Sequence, residues 1–162
     1  MLKTIIVAKS QNNTIGKNGT MPWHLPADLH FFKNKTMGHF VLMGRITYEH
    51  LKVEIKGRKI IVLTHNKDYQ YSNCIISNNL LEGFRVAESN GENELFIAGG
   101  ESIYKQTIDM ADKMYITEIY EYFNGDTFFP KINRNKWNIK KIKEYKQDNH
   151  PYSFSIFEYN RK

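Results

Sequence analysis

The fold is decided by two similar stretches, Phe40-Val41-Leu42-Met43-Gly44-Arg45-Ile46-Thr47 and Leu95-Phe96-Ile97-Ala98-Gly99-Gly100-Glu101-Ser102. In each, an apolar run typical of a buried strand ends at glycine, and a helix is expected to begin directly afterwards. Strands that alternate with helices are typical of an α/β fold with a mostly parallel sheet.

The rest of the chain extends this alternation in both directions. The predicted strands are residues 2–9, 40–43, 59–64, 74–76, 95–98, 114–123 and 153–159. The predicted helices are residues 26–37, a short helix that opens near 46 or 47, residues 79–89 and residues 101–107. The late strands have no helix between them, so we expect antiparallel pairing at one edge of the sheet. Residues 11–22 predict a polar, mobile loop.

Composition indicates one soluble globular domain. The chain has 162 residues, of which 41% are hydrophobic and 25% charged, enough for a real core. A single cysteine, Cys74, excludes an internal disulfide and a four-thiolate metal site. No apolar run is long enough for a membrane span or a signal-peptide core. We therefore expect a cytoplasmic protein without a metal ion.

The formal net charge of +6 raises the question of anionic partners. The lysines at 136–146 form a modest cluster that includes Trp137 and Tyr145. A solvated strand or loop face is the interpretation we favour, so no nucleic acid is expected, and a nucleic-acid-binding surface is the alternative.

The two strand–glycine–helix junctions have the chemistry of a phosphate site. Backbone N–H groups at a helix N-terminus carry partial positive charge, and glycine lets a phosphate approach closely. Two such junctions on one sheet suit the two phosphates of a dinucleotide, and Arg45 can add a contact to a 2′-phosphate. The alternative is a pair of tight turns that need glycine. The G-x-G-x-x-G fingerprint is absent.

A second constellation is Met21-Pro22-Trp23-His24-Leu25-Pro26-Ala27-Asp28-Leu29-His30-Phe31-Phe32. Asp28 falls in the first turn of a predicted helix, and Phe31 and Phe32 follow at helical spacing on the same side. A carboxylate between aromatic rings can accept two parallel hydrogen bonds from the amino edge of a flat heterocycle. The alternative is that Asp28 only completes the helix N-terminus, where acids are favoured.

These motifs together resemble those of bacterial dihydrofolate reductases. The resemblance is carried by Met21-Pro22-Trp23, Leu25-Pro26 and Asp28, by Met43-Gly44-Arg45 and Thr47, by Gly57-Arg58-Lys59, by Ala98-Gly99-Gly100, and by Gly125-Asp126-Thr127 with Phe129-Pro130, all in family order. It implies a dihydrofolate-reductase-like fold: a central twisted, mostly parallel eight-stranded sheet with an antiparallel C-terminal edge strand, flanked by four helices. Residues 1–162 would form one domain, with an adenosine-binding subdomain at about 39–92 and a loop subdomain made of the rest.

The implied activity is the NADPH-dependent reduction of 7,8-dihydrofolate to 5,6,7,8-tetrahydrofolate by a monomer. The hydride would go to C6 and the proton to N5, and antifolates such as trimethoprim would be inhibitors. The implied catalytic residues are Asp28, Trp23 and Met21. The implied substrate-binding residues are Ile6, Val7, Ala8, Asp28, Leu29, Phe32, Leu51, Ile55, Arg58, Ala98, Tyr104 and Thr117. The implied cofactor-binding residues are Ala8, Ile15, Gly16, Gly19, Thr20, Gly44, Arg45, Ile46, Thr47, Leu63, Thr64, His65, Ala98, Gly99, Gly100, Glu101, Ser102, Ile103 and Tyr104.

Several roles are implied individually. Asp28 would hold the pterin edge with the Thr117 hydroxyl bonded to it, Phe32 would stack on the pterin, and Arg58 would clamp the glutamate carboxylate of folate. The loop at about 9–23 would open and close over the nicotinamide, supported by Gly125-Asp126.

The chain also departs from the family pattern. Lys52-Val53-Glu54-Ile55-Lys56-Gly57-Arg58 lacks two usual prolines, which suggests a looser loop, and Ala98 replaces a bulkier residue, which predicts a roomier pocket and weaker trimethoprim binding. Ser102 replaces a phosphate-binding arginine of some members, so 2′-phosphate recognition would depend on Arg45 and His65. Two other functions stay open: a riboflavin-pathway reductase of related fold, and a basic nucleotide-binding module that is not an enzyme.

Overall fold

The computed structural model describes residues 1–51 and 55–162. Its strands are β1 (Leu2–Ser10), β2 (Thr14–Gly16), β3 (Phe40–Gly44), β4 (Lys59–Leu63), β5 (Ile75–Ser77), β6 (Glu94–Ile97), β7 (Lys113–Ile119), β8 (Thr127–Phe128), β9 (Trp137–Tyr145) and β10 (Phe154–Arg161). Its helices are α1 (Pro26–Thr36), α2 (Arg45–Glu49), α3 (Leu80–Ser89) and α4 (Glu101–Thr107). Lys52, Val53 and Glu54, which belong to the run without prolines, lie outside the described residues.

The main sheet has the expected mixed topology. Its strand order is β5-β4-β3-β6-β1-β7-β10-β9. The strands from β5 to β7 pair in parallel, and β10 pairs antiparallel with both β7 and β9. The prediction of a mostly parallel sheet with an antiparallel edge is therefore confirmed, and β9 takes the outermost place, beyond the C-terminal strand.

Both faces of this sheet are covered, because successive residues of a strand point to opposite sides. On one face, Val7 packs in a buried cluster with Phe84 of α3 and Ile103 of α4. On the other face, Ile6 packs with Phe31 of α1. The β1 strand thus lies in the middle of the core, which explains its nearly continuous apolar sequence.

Three parts of the chain differ from the strand prediction. Residues 137–145, for which no strand was predicted, form β9. Residues 120–123 were expected to continue β7, but the strand ends at Ile119, and the segment turns to bond the loop after β1. For example, the Phe123 backbone oxygen accepts hydrogen bonds from Asn12 Nδ2 and Thr14 Oγ1 at 2.9 and 2.8 Å. The same loop, predicted to be polar and mobile, contains the strand β2, which pairs with β8 in a separate two-stranded sheet.

The lysine cluster at 136–146 falls mostly on β9. Lys140, Lys141 and Lys143 are exposed on this strand, while Trp137 is buried. A solvated edge strand therefore accounts for their charge. Among the described residues, no helix is long and apolar enough to cross a membrane. The division into two subdomains stays a prediction.

Candidate active site

The Asp28 carboxylate lies between α1 and the centre of the sheet. Pro26 opens α1 and places Asp28 in its first turn, where the side chain reaches β7. The Thr117 hydroxyl donates a hydrogen bond of 2.6 Å to Asp28 Oδ1. Thr117 is buried and is paired with Ala8 of β1. The carboxylate is therefore held from the sheet side and keeps lone pairs for a ligand.

The surroundings of Asp28 change its ionisation. Burial raises the pKa of Asp28 from 3.8 to about 6, although the hydrogen bond from Thr117 acts in the opposite direction. At neutral pH the group is mainly a carboxylate, and a modest acidification protonates it. A carboxyl that titrates this close to neutrality is typical of functional sites.

A small pocket opens beside this carboxylate. It is lined by Met21, Trp23, His24, Leu25, Asp28 and Leu29. The indole of Trp23 is buried, and its Nε1 has no acceptor among the described residues. A buried donor of this kind is costly unless it is satisfied, so this corner of the site suits a polar ligand atom or a bridging water.

An apolar wall continues from the pocket along the α1 face of the sheet. Its members belong to one cluster around Ile6, and the predicted substrate residues among them are Phe32, Leu51, Ile55 and Ala98. Arg58 lies at the Phe32 end of this wall. Its guanidinium is 5.8 Å from the centre of the Phe32 ring, and its Nη1 donates to Thr36 Oγ1 at 3.3 Å.

The two glycine junctions lie side by side at the carboxyl ends of β3 and β6. Gly44 N donates to Gly99 O at 2.8 Å, and the Gly99-Gly100 peptide bond is cis. A Cβ on Gly100 would lie 3.2 Å from Thr47 Oγ1, so a side chain there would crowd the cleft between the two helix starts. Neither α2 nor α4 has a side-chain cap among the described residues. Their first N–H groups therefore suit an anionic ligand such as a pyrophosphate.

The loop at 11–22 is folded over the same end of the sheet. Lys17 and Thr20 exchange two backbone hydrogen bonds, and the residues between them, Asn18 and Gly19, have φ of 52° and 80°. Positive φ at both central positions is the mark of a type I′ hairpin turn, which Asn-Gly favours. The Asn18 backbone N–H donates to Asp126 Oδ2 at 2.9 Å.

Comparisons with known proteins agree with this geometry. The sequence model of the dihydrofolate reductase family matches residues 2–161. The chain is 34% identical over 159 residues to the dihydrofolate reductase of Staphylococcus haemolyticus, covering 98% of this chain and 95% of the relative. It is 37% identical over 163 residues to that of Neisseria gonorrhoeae, covering 98% of each. The chain belongs to the dihydrofolate reductase family.

A solved dihydrofolate reductase from Enterococcus faecalis, complexed with NADP(H) and RAB-propyl, has the same fold. The two structures align with a TM-score of 0.88 at 34% identity, covering 99% of this chain and 96% of the other. The predicted dihydrofolate-reductase-like architecture is confirmed by this likeness.

Two of the residues expected from the dihydrofolate reductase motifs, Val7 and Tyr104, have side chains that are engaged elsewhere in the core. Val7 packs its side chain on the opposite face of the sheet from Asp28, so only its backbone remains for the substrate side. The Tyr104 hydroxyl donates to Ile6 O at 2.9 Å, and burial raises the pKa of Tyr104, which keeps the proton on this oxygen. Tyr104 therefore braces β1 against α4.

The expected cofactor residues are spread over several elements of the chain. Gly44 and Leu63 are register neighbours at the ends of β3 and β4, so Arg45, Thr64 and His65 follow on one edge of the sheet. Ile46 and Thr47 lie on α2. The others lie on β1 (Ala8), on the loop that contains β2 (Ile15, Gly16, Gly19 and Thr20), at the junction after β6 (Ala98, Gly99 and Gly100) and on α4 (Glu101, Ser102, Ile103 and Tyr104). Arg45 Nη1 is bonded to Glu49 at 3.0 Å, and Ile46 is exposed.

Sequence reasoning missed His50, whose ring contacts Gly19 of the loop. The Asn18-Gly19 dipeptide is a known turn signal, but nothing in the sequence indicates that a histidine after α2 would meet it. Within the described residues, no group of His, Cys, Asp and Glu could hold a metal ion.

Proposed function

We propose that this chain reduces 7,8-dihydrofolate to 5,6,7,8-tetrahydrofolate with NADPH. The observation that carries the proposal is the half-buried Asp28 carboxylate, bonded to Thr117 and set beside an apolar wall that contains Phe32. A flat ring with an amino edge fits this combination, because the carboxylate satisfies its N–H groups while the wall covers its face.

Asp28 holds the substrate and tunes its chemistry. Its two oxygens accept the parallel N–H groups of the pterin edge, and its negative charge makes ring N5 more basic. A water-borne proton then reaches N5 while a hydride reaches C6, so that the N5–C6 double bond is reduced. Because the pKa of Asp28 is about 6, the carboxyl is poised for proton exchange at neutral pH. The buried Trp23 shields this corner from bulk solvent, and Met21 lines the pocket beside it.

Arg58 and its neighbours hold the other half of the substrate. The guanidinium makes a bidentate contact with the glutamate carboxylate of folate, and its stacking near Phe32 directs it towards that group. Leu29, Leu51 and Ile55 pack around the aminobenzoyl ring. The smaller Ala98 leaves room in the wall, which weakens the grip on diaminopyrimidine antifolates.

The starts of α2 and α4, which have no side-chain cap within the described ranges, fit NADPH, which supplies the hydride when it is bound. Gly44, Gly99 and Gly100 let the pyrophosphate approach the backbone. Arg45 exchanges its bond to Glu49 for the 2′-phosphate, with His65 beside it, so that NADPH is preferred over NADH. Residues 39–92 form the adenosine-binding subdomain, and the loop at 9–23 covers the nicotinamide.

The test is a spectrophotometric assay with purified protein. We expect loss of NADPH absorbance at 340 nm that requires dihydrofolate, runs more slowly with NADH and is inhibited by trimethoprim. Absence of dihydrofolate-dependent NADPH oxidation in folded protein would contradict the proposal. We also propose a cytoplasmic monomer, for which cell fractionation and size-exclusion chromatography are the measurements.

A further inference from the structure

We propose that His50 is a positioning residue that holds the Asn18-Gly19 turn in place over the reaction cleft. The inference rests on the proposed function and goes beyond it, because His50 belongs to none of the family motifs in this sequence.

The His50 ring has a defined orientation at the end of α2. Its Nδ1 is 2.8 Å from Ile46 O, and its backbone N–H donates to the same oxygen at 3.1 Å. A carbonyl oxygen can only accept, so Nδ1 carries the proton. Two bonds from one residue to one carbonyl leave the ring little freedom to turn.

The face of this ring lies against Gly19. A Cβ on Gly19 would be 2.9 Å from both Cε1 and Nε2 and 3.1 Å from Cδ2. These nearly equal distances mean that the ring plane covers the position where a side chain would begin. Gly19 also has φ of 80°, which other residues rarely adopt. The turn is therefore shaped to receive the ring.

The turn is held from its other side by the segment before β8. Asn18 N donates to Asp126 Oδ2 at 2.9 Å, and Asp126 N donates to Gly16 O at 3.0 Å. The two central residues of the turn are thus held separately: the His50 ring packs on Gly19, and Asp126 accepts a hydrogen bond from Asn18. Loss of either contact leaves the turn held by the other contact alone.

The contact between His50 and Gly19 connects the proposed phosphate site on α2 with the pocket beside Asp28. The α2 helix begins at the Gly44 junction, where the phosphates are proposed to bind, and His50 is the residue that directly follows its last turn. The turn leads within two residues to Met21, which lines the Asp28 pocket. Through His50, a cofactor seated on α2 favours the closed turn, and the closed turn keeps the nicotinamide and the pterin together.

The test compares His50→Ala with the parent in three measurements. These are the single-turnover rate of hydride transfer, the dissociation constant of NADPH, and that of 2′-phospho-ADP-ribose, a fragment without nicotinamide. We expect the first two to worsen about three- to tenfold, corresponding to the loss of one packed contact. Fragment binding should stay within about twofold, because the fragment does not reach the turn.

The matched control is His30→Ala, an exposed histidine of α1 whose hydrogen-bond partner among the described residues is Asn34, and this variant should leave all three values unchanged. A second variant, Gly19→Ala, places a methyl group against the ring. Its loss should be smaller in the His50→Ala background than in the parent, since residues in contact are not additive.

The inference is overturned if His50→Ala keeps the parental values, if the fragment loses as much affinity as NADPH, or if the two substitutions are additive. A parent without dihydrofolate-dependent NADPH oxidation would instead refute the proposed function, so the two failures are distinguishable.

Discussion

Replacing Asp28 with asparagine should make the protein more stable and nearly inactive, and the gain in stability should depend on pH. The pKa of Asp28 rises from 3.8 to about 6 on folding. Since a raised pKa means that the folded state disfavours the charged form, ionisation of Asp28 costs about 3 kcal/mol once both folded and unfolded chains are ionised. The cost falls to about 1 kcal/mol near pH 4.5, where the folded carboxyl is protonated and the unfolded one is only partly ionised.

The asparagine variant has no such ionisation. Its free energy of unfolding relative to the parent should therefore increase by about 2 kcal/mol between about pH 4.5 and about pH 7.5. Urea unfolding at both pH values measures this difference, and single-turnover kinetics should show hydride transfer at least about a hundredfold slower at neutral pH. The control is Asp109→Asn, whose side chain is 83% exposed. A stability difference that is equal at both pH values, or parental turnover, would refute the reasoning.

Three other substitutions test separate parts of the molecule. Arg58→Leu should weaken dihydrofolate binding by about ten- to a hundredfold through loss of a charge-assisted clamp and leave the dissociation constant of NADPH within about twofold; equal losses for both ligands would contradict the clamp. Ala98→Ile should fill the gap in the apolar wall and lower the trimethoprim inhibition constant by about tenfold, and an unchanged constant would reject the roomier pocket. In Glu92, burial raises the pKa, but hydrogen bonds, first from His39 and then from backbone N–H groups, outweigh it and hold the pKa below its usual range. Glu92→Gln should therefore cost about 2 kcal/mol of stability at neutral pH, shrinking as the pH falls through that lowered pKa; urea unfolding at pH 7 and pH 4 checks this, and a loss independent of pH would speak against it.

The parallel part of the sheet could be predicted from the sequence because its strands are buried on both faces. Such strands are short and nearly continuous apolar runs, and β3 and β6 are clear examples, each leading into a glycine-containing junction. The end of β7 could not be predicted, since residues 114–123 have strand character without a break. What ends the strand at Ile119 is a set of bonds to the distant residues 11–14, and a local pattern does not contain them.

The residues of the site also differ in whether the sequence alone predicts their contacts. The pairing of Asp28 with Thr117, which are 89 positions apart, was expected only through resemblance to a family, and the hydrogen bond is present. No family motif indicated a role for His50. Its contact with Gly19 depends on how the loop folds back over α2, and that path is set by tertiary contacts such as the bond between Asn18 and Asp126. A local sequence pattern can identify a carboxylate or a glycine as a candidate site residue, but it does not predict which side chain will pack on it.

The two outer strands of the sheet have a consequence for the newly made protein. An unpaired strand edge is a template on which another copy of the chain can add, which leads to aggregation. Here β5 offers only three residues, and β9 presents exposed lysines along its length. A neighbouring copy therefore finds too few free backbone groups at β5 and a repulsive positive charge at β9, so edge-to-edge pairing is disfavoured. The positive charge of β9 also helps to keep the chain in solution while it folds.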